Sequence, residues 1–318
     1  MLTELTLQNF RGFQDLRLEG LQRVNLVVGR NNSGKTSLLE AIAFVTMPQS
    51  VNHLPNLLRS VAASGDTDRR YFRWLIRDGN EVSEAIVQAI KNGGPITVAI
   101  RSVEKLGCDV PSGSKPFHNS NKLLIHAPRG QAAVACRVVP VQHHSPEHLV
   151  KVFAAAVKRK GGEERIERLL REVDPRILKV RVEPSDDGNH VMVDLGLSEM
   201  LPVSQVGQGI YRLIAIFSEL IGEKPDVCII DEIENGIHHS MLEQVWTGIA
   251  AAAENLDVQV FATTHSQECI EAAHAAFSKR KQYDLGIVQL FRVEGAVQGR
   301  VLDQKLIEAA LAGNIDLR

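Results

Sequence analysis

The run Gly29-Arg30-Asn31-Asn32-Ser33-Gly34-Lys35-Thr36 restricts what this chain can fold into more than any other feature. It has the form G-x-x-x-x-G-K-T. It follows a largely apolar stretch, Val24 to Val28, of the kind buried on both faces of a sheet. It precedes a helix expected from Ser37 to about Thr46, with Leu38, Leu39, Ile42 and Phe44 available for packing. A strand, a glycine-bounded loop and a helix in that order form a phosphate cradle. The glycines permit the backbone angles and the close approach that let N–H groups wrap around phosphate oxygens. The helix N-terminus adds positive partial charge. In this cradle Arg30, Asn31, Asn32 and Ser33 supply loop backbone, and Ser37 opens the helix. Lys35 would neutralise the β- and γ-phosphates, and the Thr36 hydroxyl would reach Mg²⁺.

A second apolar stretch, Val227-Cys228-Ile229-Ile230, ends in Asp231-Glu232. An aspartate at a strand end can hold Mg²⁺ opposite Thr36. Glu232 points elsewhere and can activate the attacking water as a general base. No NKxD-like guanine-specificity loop occurs, so ATP is the expected nucleotide.

From about residue 203 the chain alternates helix and buried strand: helix 209–221, strand 226–230, helix 240–254, strand 257–262, helix 266–278, strand 286–293. That alternation predicts an α/β fold with a parallel or mixed sheet. Upstream, two short strands flank the Arg11-Gly12 turn. A strand ends near Gln142, and a helix follows Ser145-Pro146-Glu147. Another helix spans 163–173, and a hairpin turns at Asp186-Asp187-Gly188-Asn189. Residues 50–130 read as an inserted, largely helical lobe. Helices are expected near 53–63 and 81–92, strands near 96–100 and 123–126, and a loop over 107–121. The expected organisation is one domain, 1–318, carrying that insertion.

Five segments, in order, resemble the ABC-type ATPase heads of the SMC, RecF and OLD group, and most of all the compact AAA-15 and AAA-21 families. They are Phe10-Arg11-Gly12-Phe13; Gly29 to Thr36 running into Ser37-Leu38-Leu39-Glu40-Ala41-Ile42; Ser204-Gln205-Val206-Gly207-Gln208-Gly209; Val227 to Glu232 followed by Ile233-Glu234-Asn235-Gly236-Ile237-His238; and Phe261-Ala262-Thr263-Thr264-His265-Ser266. The resemblance implies a P-loop NTPase head with antiparallel N-terminal strands. It implies a composite site in which one head supplies Asp231 and the P-loop, while another presents Ser204 and the backbone of Gly207 to Gly209 to the γ-phosphate. It also implies that His265 senses that phosphate or positions the water. A dimer of heads or a higher homo-oligomer and a separate effector protein follow as expected partners. Stand-alone heads of this kind occur in prokaryotic gene pairs, including phage-defence systems. Only 53 residues follow His265 (266–318), too few for the TOPRIM domain of OLD nucleases, and no long coiled coil is visible.

The alternative class is a RecF-like head that grips duplex DNA. A net charge of −2 does not call for nucleic acid, though a local basic face would suffice. Arg69, Arg73 and Arg77 lie at helical spacing beside Tyr71, Phe72 and Trp74; such a stripe can bind nucleic-acid backbone, but it reads better as a solvated face that packs Phe72, Leu75 and Ile76 inward. Lys158-Arg159-Lys160 and Lys279-Arg280-Lys281 read as helix ends, where cations suit the dipole. Gln142 and Gln49 are candidates for a glutamine near the γ-phosphate, and Arg11 is a further candidate for the nucleotide. His143-His144 has no third metal ligand nearby in sequence. Four widely spaced cysteines, no leader-like N-terminus and no membrane-length apolar run predict a cytoplasmic protein without a membrane span.

Overall fold

The structure, a computed structural model, describes residues 1–48, 58, 74–77, 84–102, 110, 112–119, 123–131, 134–139, 145–185 and 188–318. The expected helix 53–63, Arg69, Arg73, Gln49, Gln142 and His143-His144 lie outside the described residues, apart from Leu58.

Val24–Val28 forms β3, central in a six-stranded sheet of order β15-β14-β3-β13-β12-β8. Its other strands are β8 (Cys136–Val139), β12 (Val227–Ile230), β13 (Gln259–Thr263), β14 (Leu285–Val293) and β15 (Ala296–Leu302). All pair in parallel except β15, which closes one edge as an antiparallel hairpin. The alternation of side chains assigns each strand to two cores. Val24, Leu26, Cys228, Ile230, Val260 and Ala262 face one core, while Val27, Val227, Ile229 and Phe261 face the other.

The second core lies against a second six-stranded sheet, antiparallel, of order β2-β1-β4-β5-β7-β6. It comprises β1 (Leu2–Phe10), β2 (Phe13–Glu19), β4 (Glu84–Lys91), β5 (Gly94–Ser102), β6 (Ser114–Asn119) and β7 (Leu123–Pro128). Helix α1 (Lys35–Thr46) sits between the two sheets, touching β1, β4 and β5 of one and β8, β12 and β13 of the other. Every residue from Leu38 to Thr46 is buried, so the helix must be apolar nearly all round. The exception, Glu40, meets Arg11 in a two-pronged ion pair with both contacts at 3.1 Å.

The first core is covered by α2 (Pro146–Val157), α3 (Gly162–Val173), α4 (Val203–Val206), α5 (Gln208–Glu223), α6 (Leu242–Leu256) and α7 (Gln267–Ser278). Helix α8 (Gln304–Ala312) follows β15. Ser145 caps α2 as expected, its Oγ accepting from the His148 N–H at 3.3 Å. A small sheet, β11-β10-β9, carries the hairpin β9 (Lys179–Ser185) and β10 (Gly188–Asp194), with β11 (Leu201–Pro202) beside it.

The insertion corrects one expectation. Among its described residues it is antiparallel strand: 81–92, expected helical, holds β4, and the expected loop 107–121 holds β6. Glu84, Ala85, Gln88 and Ala89 favour helix intrinsically, but pairing with β1 on one side and β5 on the other overrides that preference. The burial of Ala85, Val87 and Ala89 alternates with period two along β4.

Candidate active site

The P-loop is built by local strain that only certain residues tolerate. Gly29 has φ +149°, and a Cβ there would lie 2.5 Å from the Leu290 carbonyl oxygen. Gly34 has φ +100°, and a Cβ there would touch the Phe13 ring at 3.0 Å. This contact explains the Phe10-Arg11-Gly12-Phe13 segment: Phe13 buttresses the loop, while Phe10 packs edge-on to Phe44 of α1 at 5.9 Å. Asn32 takes the left-handed region at φ +61°, which asparagine accepts readily. From β14 an Arg292 NH2 donates to the Asn32 carbonyl at 3.1 Å, holding the outer side of the loop. Arg11, by contrast, spends its guanidinium on Glu40 and the Trp74 carbonyl.

Lys35 is nearly buried, and its Nζ turns back onto the carbonyls of Gly29 at 2.6 Å and Arg30 at 3.2 Å. Burial lowers its pKa, and the charges of Glu232, Asp231 and Glu234 oppose that shift. The ammonium is therefore held by loop carbonyls and lies within the field of three carboxylates. Arg30, Asn31 and Asn32 are exposed at the loop crest, and Thr36 and Ser37 are half-buried at the start of α1. The Ser33 hydroxyl is buried with no hydrogen-bond partner among the described residues.

The carboxylates are placed by β12 and its neighbour β13. Asp231 is buried, its N–H donating to the Val139 carbonyl at 3.1 Å. Its Oδ1 accepts the Thr263 hydroxyl at 2.6 Å. Burial raises its pKa, with the Thr263 hydrogen bond pulling the other way. Glu232 occupies the left-handed region at φ +46°, a strained position for a residue of its size. Its backbone is clamped from both sides. The N–H donates to Thr263 Oγ1 at 2.8 Å, and Arg212 of α5 donates to its carbonyl at 3.1 Å and also to that of Asp231. The Glu232 side chain reaches His265, whose Nε2 lies 3.2 Å from Glu232 Oε1. The His265 N–H donates to Glu234 Oε1 at 2.7 Å. Four strand-end residues thus form one cluster.

The cluster fits a divalent cation with phosphate ligands. A buried carboxylate with a raised pKa gains from a neighbouring cation, and Mg²⁺ takes only one or two protein oxygens beside phosphates and water. Among the described residues no group of three or more His, Cys, Asp or Glu could hold a metal alone, in keeping with that mode.

Ser204 and Gly207 are exposed beside this cluster's outer loop. Gly207, φ +131°, precedes α5, whose N-terminus has no side-chain cap. Gly209 lies against Gly236, where a Cβ would meet the Gly236 carbonyl oxygen at 2.8 Å. Sequence reasoning did not select Thr263, Arg212, Glu234 or Arg292 as site residues. The signal for Arg212 was one cation in the apolar run Ile210 to Phe217, and Thr263 lay in plain view beside His265.

Comparison with known proteins places the chain in a family. Residues 93–271, more than half of the chain, match the family AAA_21, described as "AAA domain, putative AbiEii toxin, Type IV TA system". Residues 1–86 match AAA_15, an AAA ATPase domain. An ATP/GTP phosphatase of Helicobacter pylori is 20% identical over 85% of this chain and 87% of its own length. The DNA replication and repair protein RecF of Lactococcus lactis is 38% identical, but over only 18% of this chain and 17% of its own. A crystal structure of an SMC head bound to the C-winged helix domain of ScpA superposes with TM-score 0.61 at 14% identity, covering 98% of this chain and 99% of that one. A Pyrococcus furiosus SMC head bound to the C-terminal domain of ScpA gives 0.59 at 11% identity, with the same coverage. At that identity the likeness speaks for the fold. No helix among the described residues is long and apolar enough to cross a membrane. The chain belongs to the AAA_21 family and is a P-loop ATPase with the ABC-type head fold of the SMC and RecF group.

Proposed function

We propose that this ATPase is a switch in which ATP·Mg²⁺ joins two heads, hydrolysis parts them, and a separate effector protein reads the state. Lys35 and the loop amides of 29–36 hold the phosphates. Thr36 and Asp231 would hold Mg²⁺, which would draw charge from the phosphate oxygens. Glu232 takes the proton of the attacking water, and His265 orients the Glu232 carboxylate and the γ-phosphate. The observation that carries this reading is the 3.2 Å contact between Glu232 and His265, next to a buried Asp231. A general base near the γ-phosphate distinguishes a hydrolase from a nucleotide-binding scaffold.

The dimer rests on a different observation. Ser204 and Gly207 are exposed at an uncapped helix N-terminus, as a surface meant for an anion on a facing head requires. Solved SMC heads are bound to ScpA domains, and the family description names a toxin–antitoxin system. Both support a partner protein, and a paired defence role is consistent with them. The test is the mass in solution of Glu232→Gln with and without ATP·Mg²⁺, together with wild-type phosphate release. ATP-dependent dimers that accumulate in the variant, and turnover in the wild type, are expected. A variant that stays monomeric with ATP·Mg²⁺ refutes the composite site; equal turnover in both chains refutes Glu232 as the base.

A further inference from the structure

On the face formed by α2, α3 and α5 lies a cavity of about 680 Å³, lined by Arg159, Lys160, Arg165, Arg168 and Lys224 with one carboxylate, Glu164. In a chain of net charge −2, five cations on one concave wall are a strong local excess. Cations at the ends of α2 and α5 suit the helix dipoles, and Arg159 does serve there, donating to the Gly222 carbonyl at 2.7 Å. That explanation does not reach Arg165 and Arg168, which lie in the first two turns of α3, where the dipole favours acids instead. Lys160, Arg165, Arg168 and Lys224 are exposed and have no ion-pair partner among the described residues. The neighbouring Arg171 and Arg176 do, on Glu167 and Asp174.

Arg165 and Arg168 also line a second cavity of about 530 Å³ between α3, α5 and α6. Its other walls carry Leu169, Ile221, Ala251, Ala252 and Leu256, together with Glu172 and Asn255. Both volumes fall in the range of small-molecule sites, ~300–1,000 Å³. One compartment suits phosphates and the other an uncharged body, and the two arginines stand between them. Guanidinium forks match phosphate oxygens in pairs. No aromatic side chain lines either cavity, so the stacking platform that single-stranded nucleic acid uses is missing there.

We infer that this double cavity is a binding site for a small organic polyphosphate, with its phosphates among Lys160, Arg165, Arg168 and Lys224 and its body over Leu169 and Ile221. It is separate from the P-loop and does not depend on how ATP is used there. The test is calorimetric titration of ADP and, separately, inorganic tripolyphosphate into a Lys35→Ala chain, whose P-loop no longer competes. Saturable binding of ADP is expected, weakened by roughly tenfold or more in Arg165→Gln/Arg168→Gln and in Lys224→Glu, and unchanged in the control Arg176→Gln. Both altered sites are exposed, and unchanged circular dichroism shows that each chain folds. ADP binding more tightly than tripolyphosphate assigns the apolar compartment to the body; equal affinities overturn that half of the proposal. Absence of ADP binding, or binding indifferent to all three cavity substitutions, overturns the whole. Displacement by duplex DNA with affinity rising with its length does so too, because the face would then be a nucleic-acid surface.

Discussion

Thr263→Val removes a hydroxyl and keeps the shape, and that hydroxyl is the junction of the cluster formed by Asp231, Glu232 and His265. It donates to Asp231 Oδ1 at 2.6 Å and accepts from the Glu232 N–H at 2.8 Å, with Thr263 itself 1% exposed. A hydrogen bond to a charged group contributes about 1.5–3 kcal/mol, and a buried amide left unpaired costs about 1–3 kcal/mol. The Glu232 amide is only partly buried, so the sum is set nearer its lower end, about 2.5–4 kcal/mol. At about 2 °C per kcal/mol for a chain of this size, the melting temperature falls by about 5–8 °C. The loss also acts on rate. The Thr263 bond favours the charged form of Asp231, so removing it adds to the rise that burial causes. The acid limb of kcat/KM for phosphate release therefore moves to higher pH. Thr263→Ser keeps the hydroxyl and should recover most of both effects. A Val variant with wild-type melting and an unmoved acid limb would refute the junction, as would a Ser variant no better than Val.

Lys35→Ala should abolish ATP binding by calorimetry; a folded variant with unchanged affinity would refute the phosphate cradle. Asp231→Asn should melt higher than wild type at neutral pH without nucleotide while losing Mg²⁺-dependent hydrolysis. The sign follows from linkage: burial raises the Asp231 pKa, so its contribution to stability is full below the ordinary aspartate range and is lost as pH rises through the raised value. The variant should lack that pH dependence, and a variant less stable than wild type at neutral pH would contradict it. Glu40→Gln leaves Arg11 facing a neutral partner inside the core and should lower stability by about 3–5 kcal/mol in denaturant unfolding, whereas Arg11→Met/Glu40→Met should recover most of it.

The parallel sheet was readable because strands buried on both faces leave apolar runs: Val227 to Ile230 is unbroken, and Val24 to Val28 is interrupted only by Asn25, whose side chain pairs with the Gln22 backbone. The P-loop was readable because phosphate geometry fixes residue types at fixed spacing. β4 was not. Its run Ala85-Ile86-Val87-Gln88-Ala89-Ile90 satisfies both the helical and the strand period, and only its two partner strands decide between them. The hairpin of β14 and β15 had a signal that went unread: Glu294-Gly295, both at positive φ, between alternating apolar residues. Asp303, which caps α8 by accepting from the Leu306 N–H, was another. Within the site, motif residues were legible and their supports were not. Arg212 and Thr263 act through backbone and hydroxyl contacts whose partners lie 19 to 32 residues away.

Those supports join what the motifs leave separate. Arg212 stands in α5, a little over one turn beyond Gly207, and donates to the carbonyls of both Asp231 and Glu232. Gly209 rests on Gly236, within the loop that follows the same two residues. The exposed turn that would face another head and the carboxylates that would act on ATP in this one are therefore tied at two points across a close-packed contact. Packed interiors transmit displacement rather than absorb it. If a second head presses on the Ser204–Gly207 turn, the load reaches the strained φ of Glu232 through Arg212 before it reaches anything else named in the site. Closure and the aim of the Glu232 carboxylate toward His265 would then be one event, which gives a switch its coupling without a long-range path.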